Sequence, residues 1–218
     1  MEEGNFIYID LIGRVKDTGE IFETTKEDVA KQEGIFNKRF KYKPLLQIIG
    51  SKALVPGLEN TIKSMQVGEK RIIELEPKDA FGERRDELIK LFNIAMFKER
   101  GIDPFPGASV TINGLPGRIL SVSGGRVKVD FNHPLAGKPI IYEVEVKEEI
   151  KNLEEKIPAI ISAYSNLEKD EFSTKIQEKV VEIDTKDKDL ASEVKRAIST
   201  TIKRWVGDVE KIKFISYF

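Results

Sequence analysis

The chain has 218 residues, which corresponds to one or two domains, or to one domain that carries insertions. Hydrophobic residues make up 40% of it, so a core can form, and a formal net charge of -1 excludes the strongly basic surface of a nucleic-acid-binding protein. No apolar run approaches the roughly 18 residues of a membrane span, and the acidic start has no signal-peptide layout. We therefore predict a cytoplasmic protein with no nucleic-acid and no membrane partner.

Few side chains in this sequence are chemically reactive. It has no cysteine and one histidine, which excludes disulfides, thiolate nucleophiles, thiolate zinc sites and metal sites built on several histidines. The single His133 lies in a turn-like segment, NHPLAG, without a carboxylate partner at a telling spacing, so we expect it to pack rather than to act as a base. No metal and no cofactor is predicted.

The first 83 residues predict a sheet with short helices. Strands of β-branched and aromatic residues alternate with turn signals, and a helix begins after Val55-Pro56-Gly57, with apolar residues at helical spacing, and stops at Gly68. The predicted order is strand 5–15, strand 21–24, helix 26–33, strand 44–50, the helix after Gly57, and strand 69–77.

The next part of the chain has the pattern of a small inserted module. Residues 84–100 are charged with interspersed apolar residues and predict two short helices, and Asn113-Gly114 and Gly124-Gly125 are typical of hairpin turns. The strands expected around these turns are 109–113, 117–122 and 126–131, and a long alternating strand follows at 139–148.

Residues 150–218 predict a third region of helices and strands. One helix is marked by Ile157, Ile160 and Tyr164, with Pro158 allowed only near its first turn. A strand at 179–184, a helix at 188–206 and a strand at 209–218 predict a parallel βαβ unit.

Five segments in order carry a resemblance to a known family: the opening strand with Gly13, GEIFETT (19–25), PGLENTIKSMQVGEKR (56–71), PKDAFGE (77–83) and NHPLAGKPIIYEVEV (132–146). With them, the first 148 residues resemble FKBP-type peptidyl-prolyl isomerases, in the long form whose inserted module SlyD-like proteins share. The whole chain is most similar to the long archaeal FKBP, which adds a C-terminal domain where SlyD carries a metal-binding tail.

The resemblance implies an α+β protein in which a curved antiparallel sheet wraps over a short helix, with an inserted mainly-β module and a C-terminal α+β domain. The domains would be 1–83 with 132–149, the insert 84–131, and 150–218. The apolar pocket for an Xaa-Pro segment would be formed by nine residues: Leu11, Phe22, Glu23, Leu45, Leu54, Val55, Leu58, Phe81 and Tyr142.

Three of these nine positions, Leu11, Glu23 and Phe81, differ from what family members often carry. Tyr is common at Leu11, Asp at Glu23, Trp or Leu at Leu58, and Tyr at Phe81. The change at Phe81 removes a hydroxyl that would donate a hydrogen bond to the substrate carbonyl. These departures leave a rival hypothesis open, in which the chain is a non-catalytic holdase or peptide-binding module with weak residual turnover.

The resemblance predicts a prolyl isomerase and folding chaperone that acts on unfolded or proline-containing polypeptides. A module of about fifty residues buries large apolar side chains poorly, so some in the insert should form a sticky surface. The alternative is that the apolar residues of 88–97 form the insert's own core. The candidates are Leu88, Leu91, Phe92, Met96 and Phe97.

The C-terminal domain has a thin predicted core for an independent unit. Its last strand predicts Ile212, Phe214 and Phe218 on one face, and Val209, Ile215 and Tyr217 on the other. One helix covers one face, so we expect a homodimer through this domain. The alternatives are packing back onto the FKBP core and an assembly or scaffold role.

Overall fold

The structure is a computed structural model that describes residues 1–186 and 188–215. It divides into two compact units, Met1–Glu74 with Ile141–Phe218, and Leu75–Ile140. Residues 150–218, which the sequence predicts as a separate domain, therefore group with the FKBP-like part of the chain. The unit that holds the insert is longer at both ends than the predicted 84–131.

The α+β class predicted from the sequence is confirmed by the elements of the described residues. They are β1 Phe6–Val15, β2 Ile21–Thr24, α1 Glu27–Gln32, β3 Leu45–Ile48, α2 Pro56–Lys63, β4 Lys70–Leu75, β5 Ile89–Asn93, α3 Ile94–Lys98, β6 Ser109–Ile112, β7 Leu115–Ser123, β8 Arg126–Asp130, β9 Ile140–Ile150, α4 Leu153–Ser165, β10 Ser173–Gln177, β11 Val180–Asp184, α5 Ser192–Trp205 and β12 Lys211–Ile215.

A five-stranded sheet forms the FKBP-like part, with the order β2-β1-β9-β4 and with β3 also paired to β1. The long β1 pairs antiparallel with β3 through its first half (Phe6↔Ile48) and with β2 through its second half (Ile12↔Thr24). Helix α2 begins with Pro56, whose fixed φ and missing N–H suit a first helical turn. Leu58 and Ile62, one turn apart, are buried.

The insert is an antiparallel sheet with the order β5-β8-β7-β6. The two predicted hairpins are confirmed: Asn113-Gly114 and Gly124-Gly125 have positive φ angles, as tight hairpin turns require. The prediction of two short helices over 84–100 is confirmed only in part: a 3₁₀ turn at Asp86–Leu88 and α3 are helical, but Ile89–Asn93 between them forms β5 and pairs with β8. Cross-strand pairing overrides the local pattern here.

The C-terminal region contains the predicted parallel βαβ unit, in which β11 pairs with β12 and α5 connects them. The sequence did not predict β10, which pairs antiparallel with β11. Helix α4 begins at Leu153, so Pro158 lies inside the helix and not in its first turn as expected. Pro158 has no N–H to donate to the preceding turn.

One hydrophobic cluster joins this region to the FKBP-like sheet. Phe6 of β1 and Ile48 of β3 lie in the same buried cluster as Ile157 and Ile160 of α4. The C-terminal region therefore packs back onto its own chain, which was the alternative to dimerisation. Whether a second copy also binds is a separate question, which stays a prediction.

The last strand differs from its predicted pattern. Ile212 and Phe214 pack against this cluster, but so does Val209, which was expected on the opposite face. Strand β12 begins only at Lys211, so the alternation of faces does not extend back to Val209. Tyr217 and Phe218 lie outside the described residues.

Among residues 1–186 and 188–215, no helix is both long enough and apolar enough to cross a membrane.

Candidate functional site

Two aromatic rings and a glycine form the centre of the candidate site. The rings of Phe22 on β2 and Tyr142 on β9 meet edge to face, with centroids 5.8 Å apart and planes at 84°. Gly13 on β1 lies against both rings: a Cβ there would be 2.6 Å from Phe22 Cζ and 2.8 Å from Tyr142 Cε1. The rings can pack here only because residue 13 has no side chain.

The hydroxyl of Tyr142 donates a hydrogen bond of 2.5 Å to Glu23 Oε1. The tyrosine is 2% exposed, and its burial, together with the neighbouring carboxylate, raises the pKa of Tyr142 far above its ordinary value. Loss of water around the Glu23 carboxyl raises its pKa, although the Tyr142 bond partly opposes this. At neutral pH the phenol is therefore protonated, and it acts as the donor.

The other predicted pocket residues of this unit lie in different surroundings. Leu11 is buried in β1, and Leu45 at the start of β3 is exposed. Leu58 in the first turn of α2 is buried, while Leu54 and Val55 just before the helix are half-buried. Val55 is the N-cap of α2, and its carbonyl accepts the Glu59 N–H at 3.1 Å.

Phe81 belongs to the unit Leu75–Ile140. Its ring stacks parallel on the imidazole of His133, with centroids 4.6 Å apart. The Nδ1 atom of His133 accepts the backbone N–H of Leu135 at 3.2 Å. The histidine thus uses one face for packing and one nitrogen for its own turn, in agreement with the packing role expected from the sequence.

The five apolar residues predicted as a sticky surface of the insert differ in exposure. Leu91 is 61% exposed, and Leu88, Phe92 and Met96 are half-buried. Phe97 is 1% exposed and lies in the core of the insert with Val127 and Val129, so its expected contact with a client is corrected. It is a core residue because α3 turns its side chain onto the sheet.

The structure adds residues that the sequence analysis missed. Phe105 and Leu115 in the insert are 63% and 61% exposed, at least as much as Leu91, the most exposed of the predicted residues there. The sequence has no signal that distinguishes a single exposed apolar residue from a buried one. The pairing of Tyr142 with Glu23 was also missed, because the two residues are 119 positions apart in the chain.

Comparisons with known proteins match this chain to prolyl isomerases. The family model "FKBP26, IF domain" matches residues 90–135, within the unit Leu75–Ile140. A short-type peptidyl-prolyl cis-trans isomerase of Methanocaldococcus jannaschii is 30% identical over 148 residues, which is 68% of this chain and 93% of that protein. An FKBP-type 16 kDa peptidyl-prolyl cis-trans isomerase of Escherichia coli is 37% identical over 111 residues, 49% of this chain and 74% of that protein.

A five-stranded sheet, the short helix α2 and an aromatic pair carried by two of the strands agree with the α+β class that the sequence predicts. The chain belongs to the FKBP-type peptidyl-prolyl cis-trans isomerases. Its resemblance to SlyD-like members is also supported, since SlyD of Pasteurella multocida is 33% identical over 108 residues, 47% of this chain and 53% of that protein.

Replacing Gly13 by alanine should damage the site directly. The added methyl would overlap the rings of Phe22 and Tyr142, and overpacking of this kind costs about 1–3 kcal/mol of stability. We expect turnover of a proline tetrapeptide to fall at least about tenfold, equivalent to about 1.4 kcal/mol in the barrier. A protease-coupled isomerase assay measures this.

The matched control is Gly117→Ala in the insert, where a Cβ would be similarly crowded, at 2.8 Å from Val129 Cγ1 and 2.9 Å from Phe131 Cδ1. It should destabilise the insert and leave tetrapeptide turnover unchanged. Full turnover in a folded Gly13→Ala variant would contradict the role assigned to Gly13.

Proposed function

We propose that this chain catalyses cis–trans isomerisation of Xaa-Pro peptide bonds and that its insert captures unfolded polypeptide. The observation that carries the proposal is the aromatic pair Phe22–Tyr142 with its Glu23 acceptor, in a chain of the FKBP family. Proline-containing segments of unfolded or partly folded chains are the substrate class, with the proline flanked by the two rings.

The chemistry requires no reactive side chain. Rotation about the amide meets a barrier of roughly 18–20 kcal/mol because resonance is broken in the twisted state. A dry apolar wall favours the twisted imide, which has lost charge separation, over the planar one. Lowering the barrier by about 6 kcal/mol would accelerate the reaction some ten-thousandfold. The buried ring of Tyr142 and the half-buried ring of Phe22, both beside Gly13, supply such a wall.

The rival function, a holdase without significant turnover, was favoured by Leu11 and Phe81. The Glu23–Tyr142 bond weakens the argument from Leu11, because Tyr142 on β9 supplies the tyrosine hydroxyl that residue 11 lacks. The candidate site therefore contains a tyrosine hydroxyl even though residue 11 is leucine. The experiment that tests the function is the protease-coupled assay on proline tetrapeptides: clear acceleration supports catalysis, and peptide binding without acceleration supports the holdase.

Phe81→Tyr should raise turnover in the same assay. The family resemblance places a substrate hydrogen bond on a hydroxyl at this position, and oriented donors of this kind contribute strongly when they strengthen in the transition state. Stability of the folded variant is checked by thermal unfolding. Unchanged or lower turnover in a folded Phe81→Tyr variant would remove this explanation of Phe81.

The chaperone half of the proposal depends on the exposed apolar residues of the insert. Leu91, Phe105 and Leu115 present large side chains to solvent, and Phe92 and Met96 add half-buried surface. Scattered exposed apolar side chains are common, but several large ones on one small module favour a binding surface. Flexible and aromatic side chains also suit promiscuous recognition.

Self-association through residues 150–218 stays a prediction, as does a cytoplasmic location. Strands β10 and β12 are the two edges of their three-stranded sheet and could pair across a two-fold axis. We expect light scattering at tens of micromolar to give twice the monomer mass. A monomeric full chain would leave packing onto its own core as the role of this region.

A further inference from the structure

A large groove lies between the FKBP-like sheet and helix α4. Its volume is about 1060 Å³, and its walls come from β1, β2 and β3, from residues 40–44, from β9, and from α4 with the residues that follow it. This is at or above the upper end of the roughly 300–1,000 Å³ that a pocket for a small ligand has. The groove is wide enough for several residues of an extended chain.

The groove continues from the candidate catalytic site. Glu23 lines it and also accepts the hydrogen bond from Tyr142, and Leu11 of the predicted pocket is part of the same wall. A peptide whose proline lies against Phe22 and Tyr142 therefore has an adjacent channel for the residues next to that proline.

The groove surface combines small and exposed apolar side chains. Ala159 and Ala163 lie one helical turn apart on α4, so that side of the helix leaves space. Across from them, Leu45 is 38% exposed and Phe40 is 53% exposed, although both are large apolar residues. A ligand that covered these two side chains would gain the free energy of removing them from water.

Ser162 adds an unused polar atom to the wall. Its Oγ is buried and has no hydrogen-bond partner among the described residues. By contrast, Ser165 on the same helix donates to the carbonyl of Ile161 at 2.6 Å. A buried hydroxyl without a partner is costly, and a peptide N–H or C=O in the groove would satisfy it.

The charges of the groove fit a polypeptide better than an anion. Its lining contains four lysines and four acidic residues, so it has no net sign: Lys41, Lys43, Lys147 and Lys169 against Glu23, Glu148, Glu168 and Asp170. Nucleic acids and phosphate ligands require an excess of cationic side chains. Apolar walls with a mixed polar rim suit an unfolded chain of varied sequence.

Ion pairs tie residues 40–44 to the end of α4. Lys41 Nζ donates to the carbonyl of Asn166 at 2.8 Å and to Glu168 Oε1 at 2.7 Å, and Lys43 Nζ lies 3.7 Å from the same carboxylate oxygen. Exposed pairs of this kind are weak, so this side of the groove can open without disturbing the core.

We propose that the groove is an extended subsite for the substrate polypeptide, built by the C-terminal region and continuous with the prolyl pocket at Glu23. The proposal rests on the isomerase function and assigns α4 a part in substrate binding. It distinguishes this chain from a bare FKBP domain, which has no α4 to form the second wall.

The test compares the full chain on a proline tetrapeptide and on two longer peptides, extended by about eight residues before or after the same core. At about 3.3 Å per residue, such an extension spans about 26 Å. We expect KM to fall at least about tenfold for one of the two extended peptides, with kcat little changed, because the added residues bind equally well in ground and transition states.

Ala163→Trp fills the groove from an exposed position of α4. It should abolish the gain from peptide length and keep tetrapeptide kcat/KM within about twofold, and Ser162→Ala should remove part of the gain. The matched control is Glu155→Trp, also exposed on α4 but outside the groove, which should retain the gain. Thermal unfolding checks that each variant is folded.

The subsite proposal is overturned if KM falls for neither extended peptide. It is also overturned if the fall in KM persists in Ala163→Trp, a result that would assign long-peptide binding to the insert. Failure of the isomerase function itself gives a different result, no turnover even of tetrapeptides. In that case, fluorescence anisotropy of the labelled long peptides still tests the groove. Equal binding by the wild-type chain and Ala163→Trp would overturn it.

Discussion

Truncation of Tyr142 to alanine should nearly abolish isomerase turnover and also destabilise the fold. The side chain is buried, packs edge to face on Phe22 and carries the hydroxyl that binds Glu23. Removing a buried aromatic ring costs about 3–5 kcal/mol. Turnover of a proline tetrapeptide should fall about a hundredfold or more, equivalent to about 2.7 kcal/mol or more in the barrier, because one of the two rings that we propose to flank the proline is lost.

Two further variants separate this effect from simple loss of stability. Tyr142→Phe keeps the ring and removes only the bond to Glu23, so it should retain most of its stability and lose turnover to a smaller extent. Ile160→Ala creates a cavity in the buried cluster at α4 and costs about 2–5 kcal/mol, but it should not change turnover per folded molecule. Urea unfolding gives the folded fraction. Normal turnover by folded Tyr142→Ala would exclude this ring from the site.

The local sequence pattern correctly predicted those elements whose conformation depends on their own residues and not on a distant strand. The hairpin turns at Asn113-Gly114 and Gly124-Gly125 need positive φ angles, which these residues adopt readily. Residues 89–93, in contrast, fit a helix or a strand, and only pairing with β8 decides between them. The polar β10 has no apolar alternation of its own, and pairing with β11 makes it a strand.

The sequence predicted positions for the candidate site, but it did not predict the contacts between them. The motifs placed Phe22, Glu23 and Tyr142 in one pocket, and these three do meet. The sequence shows that Leu11 lacks a hydroxyl, but it does not show that Tyr142 donates one to Glu23 from another strand. The burial of Phe97 likewise depends on how α3 packs on the insert's sheet, which no periodicity reveals.

Removal of the insert should separate isomerisation of short peptides from catalysis of protein folding. The insert's neck is held by Asn132, whose side chain accepts the N–H of Arg85 and donates to its carbonyl, both at 2.9 Å. A variant that joins Arg85 to Asn132 through a short glycine-serine turn replaces residues 86–131 and retains this pair. It should keep tetrapeptide turnover within about twofold, because the rings and Gly13 lie in the other unit. Catalysis of a proline-limited refolding reaction should fall at least about tenfold, since linked binding modules gain about 10²–10⁴ in avidity.

Point variants in the intact chain make this prediction testable even if the shortened chain folds poorly. Leu91→Glu and Leu115→Glu each place a charge on an exposed apolar residue of the insert, and combined they should reproduce the loss in the refolding assay. The matched control is Ile72→Glu on β4, a position even more exposed but outside the insert, which should leave both assays unchanged. Refolding catalysis that is equal with and without the insert, or unaffected by the double substitution, would show that client capture takes place elsewhere on the chain. The polypeptide groove at α4 would then be the first surface to test, through Ala163→Trp in the same refolding assay.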